Sequence, residues 1–546
     1  MPAKTKIDPV TLHAGYCNTD LYHVWVYFTD KGSIQNQEFS ARVRLTERSL
    51  VRRNKVRPNN LVTFRDIPPE PTYIQDVVNT GARLRIISRW LNAVSVAATM
   101  DQLTVIANLP SVQKITAVKT AQRKPRPIID MGRALFKLTR ADSMDYGFAK
   151  NQIEQINVHT AHANGYFGQD VIVLILDTGF NLNHPVFDSL DIVAEWDFIQ
   201  KDNFTGNQDG DSNGQHNHGT YTFSAMAGYD PGNLIGPAFG AQFILGKTEI
   251  QDQEIELEED LFVAGLEWGD SLGADVLSSS LGYNDWYDYQ DMDGNTAVTT
   301  IAVDYAVSVG MVCVTAAGNE ANSDWHHIIA PADADSVISV GAVTTSGIIA
   351  NFSSRGPTYD GRIKPEVCAQ GVTTACANSS GEGYITTLGT SMSTPLVAGA
   401  AAIILSAHPE WTPMQVREAL MMTASQANDP DTVYGYGVID VWEAIKYTGF
   451  GNHNPNGAAA EFQLLPPYPN PFNSTIKLTI QLDQEGYITL DIINLQGQHI
   501  ETIYKGTIPD KNRTMVWNGS QYPSGIYFAR LLYSDRQSVR KLILLK

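Results

Sequence analysis

Three short stretches of the chain place reactive side chains where an apolar run meets a turn. Leu176-Asp-Thr-Gly179 sets a carboxylate at the end of the run Val171-Ile-Val-Leu-Ile-Leu176. Asn217-His-Gly-Thr220 puts a histidine ahead of a small-residue segment, with His216 two positions earlier as a competing candidate. Leu388-Gly-Thr-Ser-Met-Ser-Thr-Pro395 crowds hydroxyls in front of Leu396-Val-Ala-Gly-Ala400. An alcohol attacks at neutral pH when a base takes its proton and a carboxylate orients that base. Asp177, His218 and Ser391 supply one of each, in the chain order Asp, His, Ser that is one of several reaching this geometry. Each signal is weak alone. A strand-ending Asp often serves a turn, a lone His is commonly structural or solvated, and a serine before a helix caps it. Ser393, with Pro395 just behind it, suits the capping role. Ser391, two residues further out, is then the hydroxyl left to react, at a helix mouth whose positive potential favours an oxyanion.

The elements that must hold these groups fall into three regions. From about Asp145 to Tyr447, short wholly apolar strands alternate with helices: Val171 to Leu176, Phe243 to Leu245, Val276-Leu277, Met311 to Val314 and Val337 to Val340. Strands buried on both faces predict a mainly parallel sheet in an α/β domain, with sites at the strand ends. Ahead of it come a strand at His23 to Thr29, a helix near Leu45 to Asn54, apolar segments Leu84 to Ile87 and Val94 to Ala98, a helix at Met100 to Leu109 and a strand at Val112 to Val118. That order predicts a small α+β domain with helices on one face of an antiparallel sheet. Lys119 to Pro127 is basic and Pro-containing, as an exposed linker is. Beyond the Pro-rich joints at Asn452 to Gly457 and Leu464 to Phe472, Ile476 to Leu482 and Ile488 to Ile492 alternate with period two, with turn signals at Asn494 to Gly497 and Ser524-Gly525. This predicts a small β-sandwich. The expected boundaries are 1–125 for the α+β head, 126–144 for a linker, 145–450 for the α/β domain, 451–466 for a second linker and 467–546 for the sandwich.

A length of 546 residues agrees with two to four domains. The net charge of −19 is partitioned, with +9 over residues 1–125, −30 over 126–460 and +2 over 461–546. The acidic middle argues against a nucleic-acid partner and suits cations or the basic head itself. No apolar run spans a bilayer; the longest, near Leu396 to Ala407, is interrupted by Gly and Ser and reads as a core helix. The first residues lack the apolar core of a secretory signal, so either the protein stays inside or a signal has already been removed. Cys313 reads as a buried strand residue, whereas Cys368 and Cys376, eight apart, could close a disulfide loop in an oxidising compartment. Two acidic Gly-containing loops, with Asp202, Asp209 and Asp211 in one and Asp291 and Asp293 in the other, concentrate oxygen ligands as calcium sites do, and neither is an EF-hand. Glu249 to Asp260 reads as a solvated loop leading into a helix.

Asp177-Thr-Gly179, His218-Gly-Thr220, Ser280-Leu-Gly282, Ala316-Ala-Gly-Asn319 and Gly389-Thr-Ser-Met-Ser-Thr-Pro395 together resemble the subtilisin-like serine proteases, the subtilase family. The resemblance implies a three-layer domain in which Asp177 orients, His218 acts as base and then acid, and Ser391 is the nucleophile. Asn319 and the Ser391 backbone N–H would form the oxyanion hole. Ser280, Leu281 and Gly282 would hold substrate as an added strand, with Ala317 and Gly318 also contacting it and Gly282 lining the pocket for the side chain before the cleaved bond. It also implies structural Ca2+. Tyr221 departs from the family, which commonly has a second His there, and alters packing behind His218. The head, through Trp90-Leu-Asn-Ala-Val-Ser-Val96 and Ile106-Ala-Asn-Leu-Pro-Ser-Val112, resembles the ferredoxin-like inhibitory prodomain of the family, with a cut expected between Val118 and Asp145. The tail, from Tyr468-Pro-Asn-Pro-Phe472 to Lys546, resembles type IX secretion sorting modules, with an adhesion or carbohydrate-binding module as the rival. The expectation is a secreted endopeptidase zymogen whose partners are protein or peptide substrates, its own prodomain and the secretion machinery. A binding protein on a dead protease fold is disfavoured, since no proposed catalytic position is substituted.

Overall fold

The computed structural model describes residues 6–7, 21–32, 44–118, 144–250, 258–450, 462–464, 467, 472–482, 486–494, 498–508, 512–533 and 536–544. Cys17, most of both linkers, residues 251–257 of the acidic run and 495–497 of the first turn signal lie outside the described residues. The chain divides into two units, 1–447 and 448–546.

The head contains β1 (Tyr22–Phe28), α1 (Glu47–Asn54), α2 (Pro71–Asn79), β2 (Arg83–Ser88), β3 (Ala93–Ala98), α3 (Met100–Asn108) and β4 (Val112–Ala117). Its four strands form an antiparallel sheet in the order β2-β3-β1-β4. Val24, Val26, Val94 and Val96 meet Val77 of α2 and Leu103 and Ile106 of α3 in one core. The helix expected near Leu45 exists, capped by Thr46, whose hydroxyl accepts from the Ser49 N–H. It does not belong to that core. Beside α3, the helix that does is α2, opened by Pro71, a residue suited to the first helical turn.

The α/β region runs α4 (Lys150–Gln155), α5 (Val158–Ala163), β5 (Ile172–Asp177), β6 (Asp191–Asp197), α6 (Asn217–Ala227), the short pair β7 (Tyr229–Asp230) and β8 (Leu234–Ile235), β9 (Gln242–Lys247), α7 (Glu258–Leu272), β10 (Val276–Ser279), α8 (Val298–Ser308), β11 (Val312–Ala316), β12 (Ile338–Val343), β13 (Val367–Gln370), the hairpin β14 (Thr374–Ala377) and β15 (Tyr384–Thr387), α9 (Thr390–Ala407), α10 (Pro413–Met422) and α11 (Val441–Ile445). Seven strands pair in parallel in the order β13-β12-β11-β10-β5-β9-β6. All five expected strands lie in this sheet. The two not anticipated are its edges: β6 is interrupted by Asp191, Glu195 and Asp197, and β13 has only four residues. Leu174, Leu176, Leu277 and Cys313 face α7 and α8, while α9 crosses β10 to β13. Among the described helices α9 alone is long and apolar enough to cross a membrane, and it is buried in the core instead.

The head sits on α7 and α8. Trp90 joins their apolar cluster, its ring edge-on to Tyr305 at 4.9 Å. Charge follows the partition of the sequence. Arg52, Arg53 and Arg89 of the head converge on Asp270 of α7, the last two at 2.6 Å. Arg53 also meets Asp66 at 2.9 Å, and Arg89 meets Glu267 at 3.7 Å. Arg85 pairs with Asp260 at 3.3 Å, and Ser95 donates to the same carboxylate. The described ends of the acidic run are therefore not solvated: Glu249, Glu258, Glu259 and Asp260 are all buried. Glu259 accepts from Tyr287 at 2.8 Å and Trp286 at 3.1 Å, and burial raises its pKa to about 7. Nor is there a disulfide between Cys368 and Cys376, which stand in β13 and β14 as buried free thiols, as Cys313 does in β11.

In the second unit, β16 (Phe462–Leu464), β17 (Thr475–Leu482), β18 (Gly486–Asn494), β19 (His499–Ile508), β20 (Asn512–Asn518), β21 (Gly525–Tyr533) and β22 (Arg536–Leu544) form two antiparallel sheets. Their orders are β16-β17-β20 and β19-β18-β21-β22. The alternating residues Ile476, Leu478, Ile488, Leu490, Leu531 and Leu542 share one core around the fully buried Trp517, as the period-two pattern requires.

Candidate active site

Asp177 is the last residue of β5, at the carboxyl edge of the sheet. Its carboxylate is fully buried and accepts from the Thr178 N–H at 2.7 Å and the Thr222 hydroxyl at 3.0 Å. The remaining bond comes from His218 in the first turn of α6, whose Nδ1 lies 2.7 Å from Asp177 Oδ1. With Nδ1–H donating to the carboxylate, Nε2 is the basic nitrogen. The ring is 29% exposed, so it reaches the surface while its orienting acid does not. Gly219 makes this approach possible, since a Cβ there would collide with the Gly179 carbonyl. His216 is occupied elsewhere: its Nδ1 accepts from the Asn207 N–H at 3.2 Å, and burial beside Lys247 lowers its pKa. Tyr221 packs near Cys376 and Met392, its hydroxyl 3.2 Å from Ser379 Oγ.

The helix carrying Ser391 starts earlier than its sequence predicts. Gly389, at φ +140°, is the residue before α9, so Ser391 lies in the first turn and Ser393 does not cap. The hydroxyls of Ser393 and Thr394 bond back to the Thr390 carbonyl at 2.9 and 2.8 Å. Pro395 has no N–H to offer the carbonyl four residues earlier, which is that of Ser391. Ser280 fills the gap, its hydroxyl donating to Ser391 O at 2.9 Å, while Ser391 Oγ donates to Ser280 O at 3.3 Å. The serine is thus tied to the segment that continues β10. In this first turn the Thr390 N–H is taken by Asn319 and the Met392 N–H by the Gly389 carbonyl at 3.0 Å, and a helix start carries positive potential at its mouth.

Asn319 follows β11. Its Oδ1 accepts from the Thr390 N–H at 2.9 Å and the Thr390 hydroxyl at 3.0 Å. Both anchors hold the amide oxygen, which turns Nδ2 toward the helix mouth, 3.6 Å from where a Cβ on Gly389 would stand. Gly318 N donates to Thr390 Oγ1 at 3.3 Å. Beside them, Tyr283 and Ala330 exchange backbone bonds of 2.7 and 3.1 Å, and Ile329 N donates to Ala317 O at 3.2 Å. Leu281-Gly282 and Ala317-Gly318 therefore face each other across Ile329, beside the first turn that carries Ser391.

The five aspartates expected to ligate calcium are not brought together. Asp211 is paired at 2.6 Å with the fully buried Lys247, whose ammonium also meets Asp197 at 2.8 Å. Asp202 accepts from the Phe204 N–H, Asp291 from Asp288 N–H and Asp293 from Asn295 N–H, as turn residues do. The backbone carbonyl of Asp209 accepts from Gln200. Among the described residues no group of three His, Cys, Asp or Glu side chains could hold a metal. These carboxylates do not fit the ion: a lysine already supplies positive charge to one loop, and the other uses its acids locally.

Three contributing residues had no distinct signal in the sequence. Thr222 stands one helical turn beyond His218, a spacing that marks the same helix face. Pro395 signals an unpaired carbonyl four residues earlier only once the helix start is known. Thr390 adjoins the nucleophile candidate, and its bonds to Asn319 cross 71 residues of chain.

A parallel sheet with an Asp–His pair at one strand end and a serine at the mouth of a core helix is the framework of a serine hydrolase. The chain belongs to the subtilase family: residues 168–437 match the Peptidase S8 subtilase family. Residues 23–129 match the Peptidase S8 propeptide domain of Bacteroidota, and residues 467–545 a secretion system C-terminal sorting domain. Subtilisin E of Bacillus subtilis is 36% identical over 308 residues, covering 56% of this chain and 72% of that protein. The subtilisin of Bacillus pumilus is 36% identical over 308 residues and is covered completely. Serine protease AprX of Bacillus subtilis is 30% identical over 307 residues, 51% of this chain and 66% of its own length. The protein is a serine endopeptidase made as a zymogen with an N-terminal prodomain, and its sorting tail makes it a secreted or cell-surface protein.

Proposed function

We propose that Ser391, His218 and Asp177 are the triad that hydrolyses peptide bonds in this chain. Ser391 Oγ attacks the substrate carbonyl as His218 Nε2 takes its proton, and buried Asp177 holds Nδ1–H and stabilises the imidazolium. The tetrahedral oxyanion accepts from Asn319 Nδ2 and the Ser391 N–H. His218 then gives the proton to the leaving amine, and water repeats the cycle on the acyl-enzyme. The substrate backbone lies along Ser280 to Gly282 as an added strand, with Ala317 and Gly318 on its other side. The observation that carries this reading is the 2.7 Å Asp177–His218 bond, made between a buried acid and a partly exposed ring.

Protein or peptide chains are the substrates, and the first of them is the chain's own linker. The domains divide as 1–125, 145–450 and 467–546, joined by 126–144 and 451–466, with self-cleavage between Val118 and Asp145 and the sorting tail addressing the export machinery. Ser391→Ala should abolish both self-processing, read by mass spectrometry of the chain termini, and cleavage of casein. Either activity persisting at the wild-type rate sinks the assignment.

A further inference from the structure

Ile329 fills the space between Leu281-Gly282 and Ala317-Gly318, and we propose that these two segments are the walls of a substrate cleft whose floor, Ile329, restricts the enzyme to Gly, Ala or Ser immediately before the cleaved bond. The inference rests on the catalytic reading above and adds the substrate class to it. The two walls of the cleft are both fixed to the nucleophile's helix, Ser280 through its bond to Ser391 O at 2.9 Å and Gly318 through its bond to Thr390 Oγ1 at 3.3 Å. Between them runs the Ile329-Ala330 backbone, hydrogen-bonded to Ala317 on one side and to Tyr283 on the other.

The side chain of Ile329 enters the space between the walls. A Cβ on Gly282 would lie 2.7 Å from Ile329 Cγ1 and closer still to Cδ1. A Cβ on Gly318 would lie 3.1 Å from the same two atoms. The same methylene and methyl therefore touch both glycines, and these atoms occupy the gap a substrate side chain would enter. Ile329 is only 2% exposed, and its β-branching restricts χ1, so it has little room to swing clear. Ser354 Oγ, 2.8 Å from the Cβ position of Gly318, leaves that wall no wider. A side chain of one heavy atom, or two as in Ser, fits above this floor; Leu or Phe must displace it.

Each misfitting methylene in a binding pocket is worth about 1–3 kcal/mol, or roughly 10- to 200-fold in discrimination. The test is kcat/KM of the processed enzyme on tetrapeptide p-nitroanilides differing only in the last residue, Ala, Leu or Phe. Wild type should favour Ala over Phe by roughly a hundredfold, and Ile329→Gly should bring the ratio to one or reverse it, with Ile329→Ala between them. Wild type turning over Phe as fast as Ala, or a ratio unmoved in both variants, overturns the proposal. A second arm needs no variant: mass spectrometry of casein fragments from wild type should show Gly, Ala and Ser enriched at the new C-termini. Cleavage after large residues that is lost in Ser391→Ala refutes the specificity and leaves the catalytic reading standing. Casein cleavage that persists in Ser391→Ala refutes the catalytic reading itself.

Discussion

Asp270 is the residue whose loss should most weaken the hold of the prodomain on the protease. It is fully buried on α7 and receives Arg52, Arg53 and Arg89, all from the prodomain. Removing one partner of a buried ion pair costs about 3–5 kcal/mol, because the other charges stay buried without compensation. Arg53 keeps Asp66 at 2.9 Å and Arg89 keeps Glu267 at 3.7 Å, so Asp270→Asn belongs at the lower end of that range. About 3 kcal/mol is roughly a hundredfold in the opening equilibrium. The readout is hydrogen exchange in the full chain carrying Ser391→Ala, so that no processing intervenes. An eight-residue helix such as α1 is not stable alone, so its amides exchange when it undocks. Protection of α1 amides should fall about a hundredfold in Asp270→Asn. Arg48→Gln is the contrast: Arg48 pairs with Asp275 at 2.7 Å but is 36% exposed, where such pairs are worth at most about 1 kcal/mol. A change under threefold in Asp270→Asn, or an equal change in both variants, would refute the argument from burial.

Asn319→Ala should lower kcat by roughly a hundredfold with KM little changed, about 3 kcal/mol for one oxyanion donor, and Thr390→Val, which removes one of two anchors on the Asn319 oxygen, should cost less; steady-state kinetics on one peptide gives both. Asp211→Asn strips a countercharge from buried Lys247, so the melting temperature of the Ser391→Ala chain should fall by the same amount in calcium and in chelator; a fall confined to calcium would mean that a metal, not the lysine, uses this carboxylate. Glu259 has its pKa raised from 4.5 to about 7 by burial, so the folded state binds its proton more tightly than the unfolded one. Stability from this group is therefore full below pH 4.5 and lost as pH rises to 7. Glu259→Gln should gain melting temperature relative to its parent across that window and no further above it; an equal difference at pH 5 and pH 8 would contradict the assignment.

Much of this arrangement is legible in the sequence, for physical reasons. Strands buried on both faces must be apolar throughout, so β5, β9, β10, β11 and β12 announce themselves, whereas edge strand β6 carries Asp and Glu and does not. Asp177 ends one recognisable apolar strand and Asn319 follows another, which places both at one edge of the sheet, while His218 opens a helix of small residues. The start of α9 is not legible, because Gly389, Thr390, Ser391 and Ser393 are all residues that can cap, and Pro395 behind Ser393 favours the wrong one. Acidic loops mislead in the same way: whether Asp211 meets a cation from solvent or Lys247, 36 residues later, depends on pairing that local composition does not record. The prodomain interface was visible only as a charge imbalance. Its convergence on Asp270 required α1, which leaves the prodomain core and lies against α7.

The central claim is that Ser391 is made nucleophilic by His218 held on Asp177. Labelling of the processed enzyme with a fluorophosphonate probe, followed by peptide mapping, tests it most directly. The adduct should lie on Ser391 alone, be absent in Ser391→Ala, and form far more slowly in a His218→Ala chain processed in trans. Labelling at another serine, or an undiminished rate without His218, would contradict the account.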